Sequence, residues 1–367
     1  MHYRELSTPA LTIDLDILER NLDRMARYCR EHNLGLRPHT KTHKTVEVAR
    51  LQLERGAVGL TVAKVGEAEV MASAAATEPP EILVAYPIYG GEKLRRLSEL
   101  ALARRILLSL DSEVTAQELS RAATAQGATF GVLVEFDSGL RRCGLEPGPA
   151  CLELARKVEA LPGLKFRGLM TYYGNIWGTE PERRDETGRV ATRVGQALKA
   201  FVEARMPVPI VSGGSTPSAQ LSHEIPGITE IRPGTYAYND LNTFYQGACG
   251  LEDCAARVVA TVVSTAVPGR AMIDAGSKTL SSDALGSGPK TGHGYVVEAP
   301  DAKLIKLNEE HGHLDITGSA RRFRVGEVVT VIPNHVCTCV NMHDEAFLLC
   351  NQEVVGCWRV AARGKIR

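Results

Sequence analysis

Short apolar runs alternate with longer amphipathic stretches through the first two-thirds of the chain. Strand-like runs fall at 34–36, 58–62, 82–85, 105–109, 129–136, 165–171, 209–212 and 227–232. Between them, 98–103, 114–126, 150–160 and 183–204 carry apolar positions at helical spacing. A further helical pattern resumes near Thr45, with Val46, Ala49 and Leu53 on one face. Strands that alternate with helices over about two hundred residues predict a TIM-type (β/α)8 barrel, with a doubly wound open sheet as the alternative. After Gly250 the texture changes. Runs at 257–266, 271–274, 303–308, 328–332 and 346–350 are short, rich in β-branched residues and broken by glycine and proline. This pattern predicts a C-terminal β domain, which the strand at 10–13 joins. The resulting division is a strand segment at 1–14, a barrel at 15–249 and a β domain at 250–367.

Composition narrows the function classes. The 367 residues are 44% hydrophobic and carry 43 basic and 43 acidic side chains. That length supports two domains with a large core. A net charge of zero gives no electrostatic reason to expect nucleic acid or an anionic membrane as a partner. No apolar run approaches membrane-spanning length. The start, Met1-His2-Tyr3-Arg4-Glu5, lacks the apolar stretch of a signal peptide. With nine scattered cysteines, this predicts reduced thiols and a cytoplasmic location.

Three stretches carry candidate chemistry. The first is Leu36-Arg37-Pro38-His39-Thr40-Lys41-Thr42-His43-Lys44, a basic cluster after the first barrel strand. In a barrel, the loop that follows each strand is where chemistry collects. A lysine there, with cationic neighbours, can form a Schiff base with an aldehyde such as pyridoxal phosphate (PLP). The second comprises the turns after strands seven and eight. Ser212-Gly213-Gly214-Ser215-Thr216-Pro217 and Arg232-Pro233-Gly234-Thr235 offer backbone approach and hydroxyl donors to a phosphate group. The third is Pro333-Asn334-His335-Val336-Cys337. If the preceding strand continues, His335 and Cys337 share a face. One nitrogen and one sulfur ligand suit zinc, and two protein ligands leave positions open, as in a catalytic metal site.

In order along the chain, HTKTHK, VEFDSGLRRCG, VSGGSTPS, EIRPGTY, DAGSKTLSSD, EEHGHL and PNHVC resemble the fold-type III PLP enzymes, within them the D-threonine aldolase and D-serine dehydratase branch. The resemblance runs from Thr8 to Gly364. It implies that Lys41 is the Schiff-base lysine, with Lys44 at the neighbouring basic position. His39, Arg142, Tyr172 and Arg232 are then cofactor-binding residues. Arg142 would lie by the phenolic oxygen, Tyr172 against the ring and Arg232 toward the pyridine nitrogen. Ser215, Thr216, Gly234 and Thr235 would contact the phosphate, mostly through backbone N–H groups. His335 and Cys337 would hold a divalent metal, zinc or manganese. Each arginine also has a plainer reading from the sequence alone. Arg142 can form a surface pair with Glu135 or Glu146. Arg232 can form an exterior pair with Glu230, which period two puts on the same face.

The resemblance further implies a homodimer acting on a small D-amino acid. The predicted reaction is aldolase-type cleavage of a β-hydroxy D-amino acid to glycine and an aldehyde. The alternative is a D-serine or 3-hydroxy-D-aspartate dehydratase giving a 2-keto acid and ammonia. Aldolases of this branch tend to carry aspartate, and D-serine dehydratases cysteine, where this chain has Cys337. A racemase would need a second acid–base group on the opposite face of the cofactor, and no motif identifies one. Non-catalytic PLP-homeostasis proteins lack a C-terminal β domain.

Overall fold

The computed structural model describes residues 1–74, 78–285 and 291–367, whose contacts sort into two units. One, the barrel unit, comprises Asp23–Lys41, Val46–Gly234 and Gly364–Arg367; the other, the β unit, comprises Met1–Leu22, Thr42–Thr45 and Thr235–Arg363. These boundaries differ from a linear division at 14 and 249. Hydrogen bonds give one reason: Asn21 Nδ2 donates to the carbonyls of Ala237 (3.2 Å) and Asp253 (2.8 Å). The chain around Asn21 is thereby tied to the β unit.

The strands are β1 (Ala10–Asp14), β2 (Gly35–Leu36), β3 (Leu60–Val62), β4 (Ile82–Val84), β5 (Ile106–Leu110), β6 (Phe130–Glu135), β7 (Leu164–Met170), β8 (Ile210–Gly213), β9 (Glu230–Ile231), β10 (Ala256–Ser264), β11 (Arg270–Ile273), β12 (Gly294–Val296), β13 (Lys303–Leu307), β14 (Gly312–Asp315), β15 (Val328–Pro333), β16 (Glu345–Cys350) and β17 (Glu353–Arg359). In the barrel unit, eight parallel strands run in the order β2-β9-β8-β7-β6-β5-β4-β3. Residues around the two outer strands join as well. His39 bridges Thr61, Val58 N–H donates to Leu36 O, and Thr61 N–H donates to Pro38 O, both at 2.8 Å. The ring of strands is therefore closed, as a (β/α)8 barrel requires.

Strands β3, β4 and β5 are buried at every position, as expected of strands covered on both faces. The helices begin and end on local signals. Ser112 Oγ accepts from Thr115 N–H to start Glu113–Gln126, and Gly127, at φ +69°, ends it in the left-handed region. Thr179 and Glu182 form a capping box at the start of Glu180–Glu203. In the helix Val46–Glu54 the buried positions are Val48, Ala49 and Gln52. The predicted stripe of Val46, Ala49 and Leu53 therefore sits partly off the core face. Periodicity alone does not say which of two adjacent stripes the barrel covers.

The β unit holds a nine-stranded sheet. Strand β10 pairs with β15 and also with β11, so β10, β11, β14, β13, β12 and β15 close into a loop. Strand β1 lies antiparallel to β10 and parallel to β16, and β17 follows β16 at the outer edge. Strands β12, β14 and β17 have no counterpart in the sequence reading. The first two are three and four residues long with one and two buried positions, and β17 has none. Among the described residues, no helix is long and apolar enough to cross a membrane.

Candidate active site

The ends of the barrel strands surround a cavity of about 360 Å³, lined by His39, Lys41, Tyr86, Glu135, Arg142, Cys143, Tyr172 and Arg232 among others. Five of the predicted cofactor residues are thus brought together. Lys41 Nζ lies 6.0 Å from the centre of the Tyr172 ring, and the Arg142 guanidinium carbon lies 4.7 Å from it. Arg142 is therefore not tied up in a surface pair with Glu146, which instead meets Arg193 at 3.1 Å. Tyr172 lines the cavity, while its neighbour Tyr173 is fully buried and donates to Ser222 Oγ at 3.2 Å. Burial pushes the Tyr173 phenol up to about 12. A Cβ at Gly174 would meet the Tyr172 ring at 2.4 Å, so a side chain there would displace the ring.

Arg232 forms no exterior pair. It is 4% exposed and donates to Ser212 Oγ (2.7 Å) and Thr171 O (2.8 Å). Ser212 Oγ in turn donates to Glu230 Oε1 at 2.6 Å. The same carboxylate accepts from Arg37 Nε at 2.8 Å, and Arg37 also reaches Glu81 at 3.1 Å. Four buried charges are thereby linked in one hydrogen-bonded series, which is the condition for tolerating them in a barrel interior. Burial lowers the Arg232 guanidinium from its ordinary value, opposed by the nearby Glu230 and Glu135 carboxylates. Burial likewise raises the Glu135 carboxyl. Glu135, Glu230 and Glu81 received no site role from the sequence, where each reads as an ordinary residue in or beside a strand, and Arg37 and Ser212 stood only at the edges of candidate stretches.

The two glycine turns leave adjacent strand ends, with Gly213 O accepting from Arg232 N–H at 2.9 Å. Gly214 has φ +89°, and a Cβ there would sit 3.1 Å from Ile231 Cβ. Ser215 is buried, and its N–H donates to Ser218 Oγ at 2.9 Å, so this donor is engaged within its own turn. Thr216 is half-buried and Gly234 buried, both in the barrel unit. Thr235 belongs to the β unit, where its Oγ1 lies 4.0 Å from Cys337 Sγ. None of these four is among the residues lining the cavity.

His335 and Cys337 are not on a strand. Strand β15 ends at Pro333, and His335 is the N-cap of the short helix Val336–Val340. The buried Asp240 starts this helix by accepting from Val336 N–H at 2.9 Å. The expected alternation therefore fails, yet the helical turn still brings the two side chains within hydrogen-bond reach, and this contact pushes the imidazole up to about 9. Thr42 Oγ1 lies 3.2 Å from Cys337 Sγ. His335 Nδ1 lies 3.1 Å from Asp283 Oδ2, a neighbour the sequence did not single out. Among the described residues, no group of three or more His, Cys, Asp or Glu side chains is arranged to hold a metal.

The chain is similar to known proteins along almost its whole length. Residues 13–242 match the family described as alanine racemase, N-terminal domain, and residues 255–349 match a putative serine dehydratase domain. A D-threonine aldolase of Arthrobacter sp. is 32% identical, over 98% of this chain and 93% of the relative. A D-threo-3-hydroxyaspartate dehydratase of Delftia sp. (strain HT23) is 34% identical, over 90% and 91%. The crystal structure of a D-threonine aldolase from Filomicrobium marinum superposes with a TM-score of 0.91 at 33% identity, covering 99% of this chain and 98% of that one. With a closed parallel barrel, a separate β unit and matches along almost its whole length, the chain belongs to the alanine racemase-like, fold-type III PLP enzymes, in the branch that carries a serine dehydratase-type C-terminal domain.

Proposed function

We propose that this chain is a lyase for β-hydroxy D-amino acids that uses PLP and a divalent metal, with cleavage to glycine and an aldehyde as its principal reaction. The observation that carries the reading is the convergence of Lys41 and Arg142 on the Tyr172 ring in one cavity that Arg232 also lines. A primary amine, an aromatic face and permanent cations in about 360 Å³ suit a flat, anionic cofactor. Lys41, His39, Arg142, Tyr172 and Arg232 would hold its ring, and Ser215, Thr216, Gly234 and Thr235 its phosphate. When bound, PLP weakens the bonds at a substrate α-carbon by drawing their electrons into its ring.

The chain's own residues do the remaining work. Lys41 presents an amine that can take up or return a proton at the α-carbon. A guanidinium has five N–H donors and no acceptor, so Arg232 can serve Ser212 and Thr171 and still offer a donor to the cavity. His335 and Cys337 offer the nitrogen and sulfur donors that suit zinc, with manganese the other candidate. A divalent ion there would supply Lewis acidity toward a β-hydroxyl group. We further propose that the enzyme works as a homodimer in the cytoplasm.

A second reading, dehydration of D-serine or 3-hydroxy-D-aspartate, is favoured by one residue. Cys337 stands where D-serine dehydratases carry cysteine, and the Delftia relative is named as a dehydratase. Incubation of holoenzyme with D-threonine, D-serine and 3-hydroxy-D-aspartate separates the two. Glycine plus an aldehyde supports the aldolase, and ammonia plus a 2-keto acid the dehydratase. No product from any of the three would reject both.

A further inference from the structure

Asp283 follows the short helix Ser277–Leu280 and has been given no role above. The chain reaches it through Ser281, which sits at φ +67°, in the left-handed region that side chains other than glycine seldom adopt. The Ser281 hydroxyl lies 3.2 Å from Asp283 Oδ2 and accepts from Asp283 N–H at 3.3 Å. The same Oδ2 lies 2.5 Å from Thr338 Oγ1 and 3.1 Å from His335 Nδ1. Thr338 Oγ1 is also 3.0 Å from His335 O and 3.1 Å from Ser281 Oγ. Two hydroxyls and one imidazole nitrogen thus converge on a single carboxylate oxygen, all within the β unit.

An ionised carboxylate only accepts hydrogen bonds. Its partner nitrogen on His335 must therefore carry a proton, so Nε2 is the ring nitrogen that supplies a lone pair once the imidazole is neutral. Metal-binding histidines are commonly fixed this way by an outer carboxylate, which sets both tautomer and ring orientation. Asp283 is not itself arranged as a third ligand, since no such group of three occurs among the described residues.

We propose that Asp283, braced by Ser281 and Thr338, is a positioning residue that holds His335 with Nε2 free for a divalent metal. The inference rests on the reading that His335 and Cys337 bind that metal. Asp283→Asn keeps the shape but replaces one acceptor with a donor, so it no longer enforces the proton on Nδ1. Thr338→Val removes the brace and leaves the volume nearly unchanged.

The test is a zinc titration of the metal-stripped, full-length protein against a chromophoric competitor, with the melting temperature of each metal-free variant measured alongside. Asp283→Asn should weaken zinc binding about 10- to 100-fold. Its metal-free melting temperature should match that of the unaltered protein. Asp283→Glu should recover part of the affinity, which a purely structural role would not produce. Thr338→Val should weaken binding by a smaller factor, and it decides the matter if Asp283→Asn does not fold. Zinc affinity within twofold of the unaltered protein, in Asp283→Asn or, should that variant not fold, in Thr338→Val, would overturn the proposal. His335→Ala and Cys337→Ala belong in the same titration. If they lose zinc while Asp283→Asn keeps it, the positioning role alone is wrong. If neither changes the affinity, the metal-pair reading falls and takes this inference with it.

Discussion

Two polar clusters, one in each unit, are built in opposite ways. In the barrel unit, Arg37, Glu81, Glu230 and Arg232 are each under 10% exposed and joined through the Ser212 hydroxyl. In the β unit, His335, Asp283 and Thr338 form a half-buried cluster at a helix cap. A charge in a dry interior must keep all its partners, because removing one leaves another unpaired. A half-buried cluster can lose a member to water at little cost in stability while losing orientation. The barrel network should therefore answer to stability measurements, and the β-unit cluster to ligand binding.

The largest effect should come from the cavity lysine. Lys41→Ala should abolish PLP absorbance and activity together. Lys44→Ala should keep both largely intact, since Lys44 is buried in the β unit and donates to Ala362 O at 3.4 Å. Loss of the cofactor in Lys44→Ala but not Lys41→Ala would reverse the assignment. Next is Arg37→Leu, which leaves Glu230 and Glu81 without their shared guanidinium. Urea denaturation should report a loss of about 3–5 kcal/mol. Asp283→Asn in the same assay should change stability by less than about 1 kcal/mol. Equal losses would erase the contrast between the units.

A smaller effect is expected in the turn after β8. Gly214→Ala meets both a positive φ and Ile231 Cβ at 3.1 Å, and should cost about 1–3 kcal/mol. Thr216→Ala, at a half-buried position, should cost less and lower PLP retention only moderately. The smallest effect concerns pH. Burial raises the Glu135 carboxyl in the folded state, so its favourable contribution is complete below the unfolded value of 4.5 and fades as pH rises through the folded value. Glu135→Gln should therefore match the unaltered protein below that value and become the more stable of the two as pH rises. Denaturation at pH 4 to 8 checks the sign.

What could be read in the sequence follows the same division. All eight barrel strands announce themselves because each is a short apolar run between helices, and Lys41 and Arg232 lie just beyond such runs. The Ser212 link stayed hidden: Glu230, which period two pairs with Arg232 on an outer face, is joined to it through that hydroxyl in the interior. In the β unit, the H-x-C spacing put His335 and Cys337 on a strand, where the structure has the start of a helix. Extending β15 past Pro333 requires ignoring Asp240, which lies 96 residues away in sequence and accepts from Val336 N–H to begin a helix there. Asp283 was within a motif that carried the family resemblance, but its role depends on contacts 52 and 55 residues along the chain. No local pattern reports such a contact.

We propose metal-dependent cleavage of a β-hydroxy D-amino acid at a PLP site built on Lys41. Product analysis of the holoenzyme with D-threonine, before and after exhaustive chelation and again with added zinc or manganese, tests it most directly. Glycine and acetaldehyde should form in equal amounts, be lost on chelation while the cofactor stays bound, and return with the metal. Ammonia and a 2-keto acid in place of glycine, or cleavage that survives chelation unchanged, would contradict it.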